Sequence, residues 1–430
     1  MIPEANPHPR EVRRALRAAP LIDPFLCCRY HMAPYMACGH GCRYCDGRAE
    51  KYWVEGDFER DIVVRRNLPA LLREELPRLR ERAPIGIGSG ITDAYQPLER
   101  TQGLMRECAT IFAGHPFPVS LLTKSSLVMR DIDMWTRVNA GSRFVLNMSI
   151  ATLDETVRRR FEPGASPIAE RLETLRAFTR RGIAVGVMAI PLLPFIADSE
   201  EDIRTLVRTL KDAGAVYVMP GGLTLRPGRQ KDFYMREIEA SYPGLAGRYR
   251  EIYGEDRQSG ACTRAYRDGL TARVRTATAD LGVPFLLPHS VYRNSVPLYD
   301  EIHLLLQHMG ELYAARGVAV DALTDATRRY ADWLLQRKRL FNRKRSMRQE
   351  ELVEETKALF APGVAEELLG NAKLAVFLRS VALDRRVFDY VSLALSQPQV
   401  CAPPPPDHGS GAAPIPGPGV DFRSTIGEVH

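Results

Sequence analysis

The sequence has no long apolar run. Across its 430 residues no stretch of uncharged hydrophobic residues reaches the roughly 20 that a helix needs to cross a bilayer. Residues 1–20 carry Arg10, Arg13, Arg14 and Arg17 and lack the apolar centre of a secretory signal. A chain of this length without such a signal does not read as a disulfide-framed scaffold. The expectation is a cytoplasmic protein, in a compartment that keeps thiols reduced, with no membrane partner. An acidic excess is also missing. The formal net charge is +7, which permits an anionic partner such as nucleic acid without demanding one. Five of the eight cysteines, Cys27, Cys28, Cys108, Cys262 and Cys401, show no ligand spacing. They read as small buried hydrophobes and give no basis for a second metal centre. What remains is an ordinary composition, 45% hydrophobic and 26% charged, long enough for one large domain and a smaller one.

The other three cysteines, Cys38, Cys42 and Cys45, stand in C-x3-C-x2-C spacing within residues 38–45. They offer three thiolates from one short loop, and a fourth is absent. A cubane iron–sulfur cluster usually takes four cysteine ligands. Three leave one iron open to a small molecule, which an electron carrier avoids and a catalytic cluster needs. Gly39 and Gly41 let the loop wrap closely around a cluster, and Tyr44 can shield it from water. The competing reading is zinc. Structural zinc takes four ligands, commonly in two separated pairs, so His40 or Asp46 would have to complete the set in a cramped loop.

Further motifs follow in order: Thr92-Asp93, Thr123-Lys124, Ser149, the segment 161–166 with Glu162, and Arg171. The cysteine spacing resembles the cluster motif of the radical S-adenosylmethionine enzymes. The order of the rest, over about 21–226, resembles the spore photoproduct lyase branch, and the segment 93–99 is most like its uncharacterised relatives. The resemblance implies a 4Fe-4S cluster and S-adenosyl-L-methionine as cofactors, and an external one-electron reductant, flavodoxin- or ferredoxin-like, as partner. It implies reductive cleavage of the cofactor to a 5'-deoxyadenosyl radical that abstracts hydrogen from an unknown substrate.

The middle of the chain alternates short apolar runs (30–37, 85–89, 118–123, 144–150, 184–190 and 215–219) with amphipathic stretches at 57–80 and 167–181 and a helix opening at Asp198. Such alternation predicts βα units on a parallel sheet. The expected fold is α/β, a partial (β/α)6 TIM-like barrel with an additional α-helical C-terminal domain. A further strand is expected at 284–287. The expected divisions are a basic segment at 1–20, the partial barrel at 21–296, helices over 297–398 (299–315, 321–342, 349–360, 363–369 and 374–395), and a disordered Pro/Gly-rich tail at 399–430. In a barrel of this kind function sits at the C-terminal ends of the strands. The cysteine loop follows the first run, Thr92 and Asp93 follow the second, Lys124 ends the third and Ser149 ends the fourth.

The resemblance assigns cofactor binding to these positions. Thr92 and Asp93 match residues near the methionine amino group. Lys124 matches a lysine facing the methionine carboxylate, and Ser149 a hydroxyl near the carboxylate or ribose. Glu162 and Arg171 either contact the cofactor or pair with each other. Val185, Val187 and Ala189 either wall the adenine or pack in the core. Two departures separate the chain from the lyases: Gly90 stands where they carry a hydrogen-donating cysteine, and Asp46 where they carry a tyrosine. A nucleic-acid reading rests on the basic segment 337–348 with Trp333 and Phe341 interleaved. The alternatives are therefore a nucleic-acid repair or modification enzyme of the lyase type, and a non-catalytic metal- or nucleic-acid-binding protein. The latter would need none of Asp93, Lys124 and Ser149.

Overall fold

The computed structural model describes residues 4–88 and 90–396. Ten strands are present: β1 (Asn6–Arg10), β2 (Arg17–Asp23), β3 (Cys28–Met32), β4 (Tyr35–Met36), β5 (Asp61–Arg65), β6 (Ile85–Ile87), β7 (Val119–Thr123), β8 (Phe144–Ser149), β9 (Ala184–Leu192) and β10 (Tyr217–Gly222). The main sheet runs β10-β9-β8-β7-β6-β3-β2. From β3 to β10 its neighbours pair in parallel, and β2 is added antiparallel to β3 at one edge. Six parallel strands with helical returns make the open, partial (β/α)6 barrel that the alternation implied.

Both faces of this sheet are covered, as parallel strands require; every residue of β8 is buried. Side chains alternate between the faces. Ile85, Ile87, Val119, Leu121, Phe144, Leu146, Val185 and Val187 pack against Phe112, Trp135, Phe178 and Leu206 of the outer helices. Cys28, Val145, Met188, Tyr217 and Met219 face the other way and share a core with the C-terminal helices. The helix Leu298–Ala314 is buried along most of its length in that inner core. Apolar packing therefore runs unbroken across the division expected at 296/297.

The C-terminal helices are Leu298–Ala314, Asp321–Arg343, Gln349–Leu359, Val364–Leu369 and Ala372–Ala382. The last stops well before 395. The tail expected at 399–430 lies outside the described residues.

Four local expectations are corrected. The run 30–37 breaks at Pro34, which cannot donate to a ladder: β3 ends at Met32, and Tyr35–Met36 pairs with β5 in a second sheet, β1-β5-β4. The stretch 57–80 is a strand before it is a helix. Ile62, Val63 and Val64 are β-branched and extend as β5, and the helix Leu68–Glu75 opens only at Leu68, with Pro69 in its first turn. Ser199, not Asp198, caps the helix Glu200–Asp212, its hydroxyl accepting from the Asp202 N–H. Residues 284–287 form no strand; a single bond from the Val218 N–H to the Pro284 carbonyl is what remains.

The basic segment also has a structural role. Lys338 is 3% exposed. Its ammonium pairs with Glu81 at 2.5 Å and Asp300 at 2.9 Å, and Arg29 joins Glu81 at 2.9 Å. This ionic cluster ties the helix Asp321–Arg343 to β3. Phe341 is buried beneath Arg80, whose guanidinium lies 4.2 Å from the ring centroid. Neither Lys338 nor Phe341 is free to meet a nucleic acid.

Candidate active site

The cysteine loop leaves β4 through Ala37 at φ +67° and turns again at Gly41, φ +62°. A Cβ at Gly41 would come within 2.8 Å of the Glu59 carboxylate. Two successive turns, Gly41 N–H to Cys38 O at 3.2 Å and Cys45 N–H to Cys42 O at 3.3 Å, curl the chain so that Cys38, Cys42 and Cys45 all border one cavity. The loop is fixed from outside. The Cys38 N–H donates to Phe58 O, the Gly39 N–H to Gln96 Oε1 at 2.7 Å, the Arg43 N–H to Phe161 O, and the Gly164 N–H to His40 O. The fit at Gly164 is close: a Cβ there would lie 2.3 Å from Gly39 O.

Cys38, Cys42 and Cys45 are unbridged and line one cavity of about 590 Å³. Burial pushes all three thiols up; Cys42 reaches about 12 although the Lys124 charge opposes the shift. A bound cation reverses that balance, because a coordinating thiol is deprotonated outright. Among the described residues no three His, Cys, Asp or Glu side chains gather around one ion-sized point. The two side chains that zinc would have needed are engaged elsewhere. His40 Nδ1 lies 3.5 Å from Asp93, and Asp46 takes a hydrogen bond from Arg226 Nε at 2.8 Å and one from the Tyr52 hydroxyl at 2.5 Å. Three thiols along a roomy cavity wall fit a cluster with one open iron.

Thr92, Asp93, Lys124 and Ser149 line the same cavity. They converge because β6, β7 and β8 are parallel neighbours and each residue sits at or beyond a C-terminal strand end. Thr92 Oγ1 donates to Ala37 O at 2.7 Å, joining this rim to the cysteine loop. The Asp93 carboxylate accepts from the Tyr95 N–H (2.8 Å), Thr123 Oγ1 (2.7 Å) and the Lys124 N–H (2.7 Å), with His40 beside it. Its lone pairs are thus largely taken by donors of the fold, one of them the Lys124 backbone N–H. The Lys124 ammonium donates to Ser149 Oγ at 2.6 Å and stands 5.8 Å from the Tyr44 ring centroid. Among the described residues no carboxylate lies within ion-pair distance of it.

Glu162 and Arg171 do not line the cavity. They pair with each other at 2.6 Å, and both are almost fully buried behind its wall. Burial opposes the Glu162 charge, yet Arg171, Lys124 and the Tyr44 hydroxyl together hold its carboxyl down to about 2. Arg171 also donates to Ser149 O (2.9 Å) and Ser166 O (2.7 Å), and the Tyr44 hydroxyl donates to Glu162. The pair thus braces the end of β8 against the cysteine loop.

Val185, Val187 and Ala189 belong to the outer core. The β9 side chains facing the cavity are Met188 and Ile190, followed by Pro191; the strand alternation is offset by one from the expected wall. Cys27 and Cys28 are buried against Pro24 and Leu26, not at the cavity. Sequence reasoning missed Gln96, whose amide donates to Ala37 O at 3.3 Å while its oxygen holds Gly39. Its place three residues after Asp93 was visible, but the loop it holds is remote in sequence.

Residues 32–224 match the family model described as the Radical SAM superfamily. An uncharacterised protein of Mycobacterium tuberculosis is 32% identical over 251 residues, covering 57% of this chain and 72% of that protein. One of Methanocaldococcus jannaschii is 26% identical over 173 residues, covering 40% and 63%. Among solved structures, a mutant of spore photoproduct lyase aligns with a TM-score of 0.46 at 17% identity, covering 63% of this chain and 78% of that one.

Proposed function

The chain belongs to the radical SAM superfamily, and from that premise we propose that Cys38, Cys42 and Cys45 hold its 4Fe-4S cluster and that the cavity rim binds S-adenosylmethionine for hydrogen abstraction from a substrate. When bound, the cluster and cofactor together supply a 5'-deoxyadenosyl radical, and the protein orients and shields them. One observation carries the reading: three unbridged thiols and an ammonium with no carboxylate partner among the described residues line one cavity.

Lys124 is the natural site for the methionine carboxylate, since an incoming anion would complete its charge. Ser149 holds the ammonium in place from β8. Thr92 and Asp93 fix the rim through Ala37 and the Lys124 N–H. Glu162 and Arg171 act through Tyr44 and Ser149 and so position the site. Tyr44, Met188 and Ile190 add an apolar side to the cavity lining. An external electron donor belongs to the chemistry of the superfamily.

The test is anaerobic reconstitution. The wild-type chain is expected to take up iron and sulfide and, once reduced, to release 5'-deoxyadenosine. Replacing Cys38, Cys42 and Cys45 together by alanine should abolish both. Full iron loading of that triple variant would remove the cluster assignment, and an intact cluster that yields no deoxyadenosine under strong reduction would favour a non-catalytic metal protein.

A further inference from the structure

The cavity extends past the cysteine loop to the open edge of the sheet, where its lining changes character. Arg14 comes from the segment between β1 and β2, Arg17 opens β2, and Arg65 ends β5. Because β2 runs antiparallel to β3, its first residue pairs with His31 near the C-terminal end of β3. Arg17 therefore stands on the same rim as the cysteines. Three arginines, two of them three residues apart and the third on β5, line one mouth.

None of the three has a carboxylate within ion-pair distance among the described residues. By contrast, the arginines around the cysteine loop are paired: Arg43 and Arg48 with Glu59, and Arg171 with Glu162. The acids of the cavity are already satisfied. Asp23 accepts from the Phe25 and Leu26 N–H groups, Asp46 pairs with Arg226, and Asp93 is bound as described. Arg65 spends one donor on Ala33 O at 2.9 Å. Burial, and then the like charge of Arg17, hold its guanidinium below its ordinary value. Like charges crowded at a cavity mouth without a counter-ion are matched by an anionic ligand. Three planar forks exceed what one carboxylate can accept and suit the several oxygens of a phosphate. Phe25, 42% exposed, lines both this cavity and an adjoining one of about 470 Å³, so an apolar surface borders the same mouth.

We propose that Arg14, Arg17 and Arg65 bind the phosphate of the substrate, so that the radical acts on a phosphate-bearing molecule. This rests on the radical SAM reading above.

The test uses the full chain, reconstituted anaerobically, and titrates it at constant ionic strength with inorganic pyrophosphate, succinate and a short single-stranded oligodeoxynucleotide. Pyrophosphate should bind saturably, and Arg17→Gln and Arg65→Gln should each weaken it about tenfold or more. Arg339→Gln with Arg343→Gln, on an exposed helix face elsewhere, should leave it unchanged. If Arg65→Gln fails to fold, having lost its bond to Ala33, the exposed Arg17→Gln carries the comparison. Oligonucleotide binding that pyrophosphate displaces, and that the same variants lose, would make the phosphate a nucleic-acid diester. Binding of pyrophosphate alone would make it a small phosphorylated molecule; both results uphold the site. No saturable binding, wild-type affinity in the Arg17 variant, or succinate bound as tightly as pyrophosphate would overturn it. Deoxyadenosine release by the wild-type chain is measured alongside. Release without phosphate binding removes the anion site and leaves the cofactor reading standing, and binding without release does the reverse.

Discussion

Lys124→Met isolates the one cavity cation on which the cofactor reading leans most. Methionine keeps the length of the side chain and removes its charge and donors. In the folded protein Lys124 makes one side-chain hydrogen bond, to Ser149 Oγ at 2.6 Å, and no ion pair among the described residues. Loss of that bond should change folding stability by about 1 kcal/mol or less. The cost to binding is larger, because a carboxylate on this ammonium makes a charge-assisted hydrogen bond worth roughly 1.5–3 kcal/mol. At about 1.4 kcal/mol per decade, the Kd for S-adenosylmethionine should rise roughly ten- to hundredfold. The assay is equilibrium binding to the anaerobic, reconstituted protein, with iron content measured in the same sample. Iron should be unaffected, because lysine is not a cluster ligand. An unchanged Kd at full iron loading would show that the carboxylate sits elsewhere. Weakened binding with lost iron would show that Lys124 supports the loop and not the ligand.

Three further outcomes are expected. Lys338→Ala leaves Glu81 and Asp300 buried without their shared cation and should destabilise the fold by about 3–5 kcal/mol; a loss below about 1 kcal/mol in denaturant titration would contradict the burial argument. His303 and His308 are held neutral by burial, each with its pKa lowered to about 4, whereas burial pushes the Asp300 carboxyl above its ordinary value. Below about 6.5 the unfolded chain takes up histidine protons that the folded chain refuses. The contribution of each histidine is therefore complete above that pH and is lost on descent to about 4, on the order of 3 kcal/mol apiece, while Asp300, protonated earlier in the folded chain than in the unfolded one, opposes in part. Melting temperature should fall between pH 6.5 and 4, and His308→Gln should flatten the fall; an equally steep curve in the variant would be the wrong result. Finally, the reduced protein should release deoxyadenosine yet fail to repair DNA carrying spore photoproduct. Gly90 offers no thiol, and neither Cys27 nor Cys28 reaches the cavity. Repeated turnover on that DNA would refute this.

The sequence by itself determined the chemistry that depends on short spacing. C-x3-C-x2-C places three thiols on one loop whatever the rest of the chain does, and the alternation of apolar runs with amphipathic stretches leads to parallel βα units. Parallel order in turn puts Thr92, Lys124 and Ser149 on one rim, so their convergence was legible before any coordinates. Tertiary structure decided what each group has left to give. Asp93 and Lys124 looked equally available in the sequence; in the fold the carboxylate is occupied by backbone and hydroxyl donors, whereas the ammonium meets the Ser149 hydroxyl and no carboxylate among the described residues. Lys338 read as part of a basic segment open to nucleic acid, but Glu81 and Asp300, distant in sequence, draw it inside. A one-residue offset on β9 exchanged Val187 for Met188 at the cavity wall, a difference that periodicity marks but cannot orient. Arg14 and Arg17 were visible together as part of a basic segment, but Arg65 lies much further along the chain, and only the pairing of β2 with β3 and of β5 in the smaller sheet brings it to the same mouth. Spacing along the chain fixes local geometry. Burial and partner choice depend on contacts between residues far apart in sequence, and those exist only once the chain has folded.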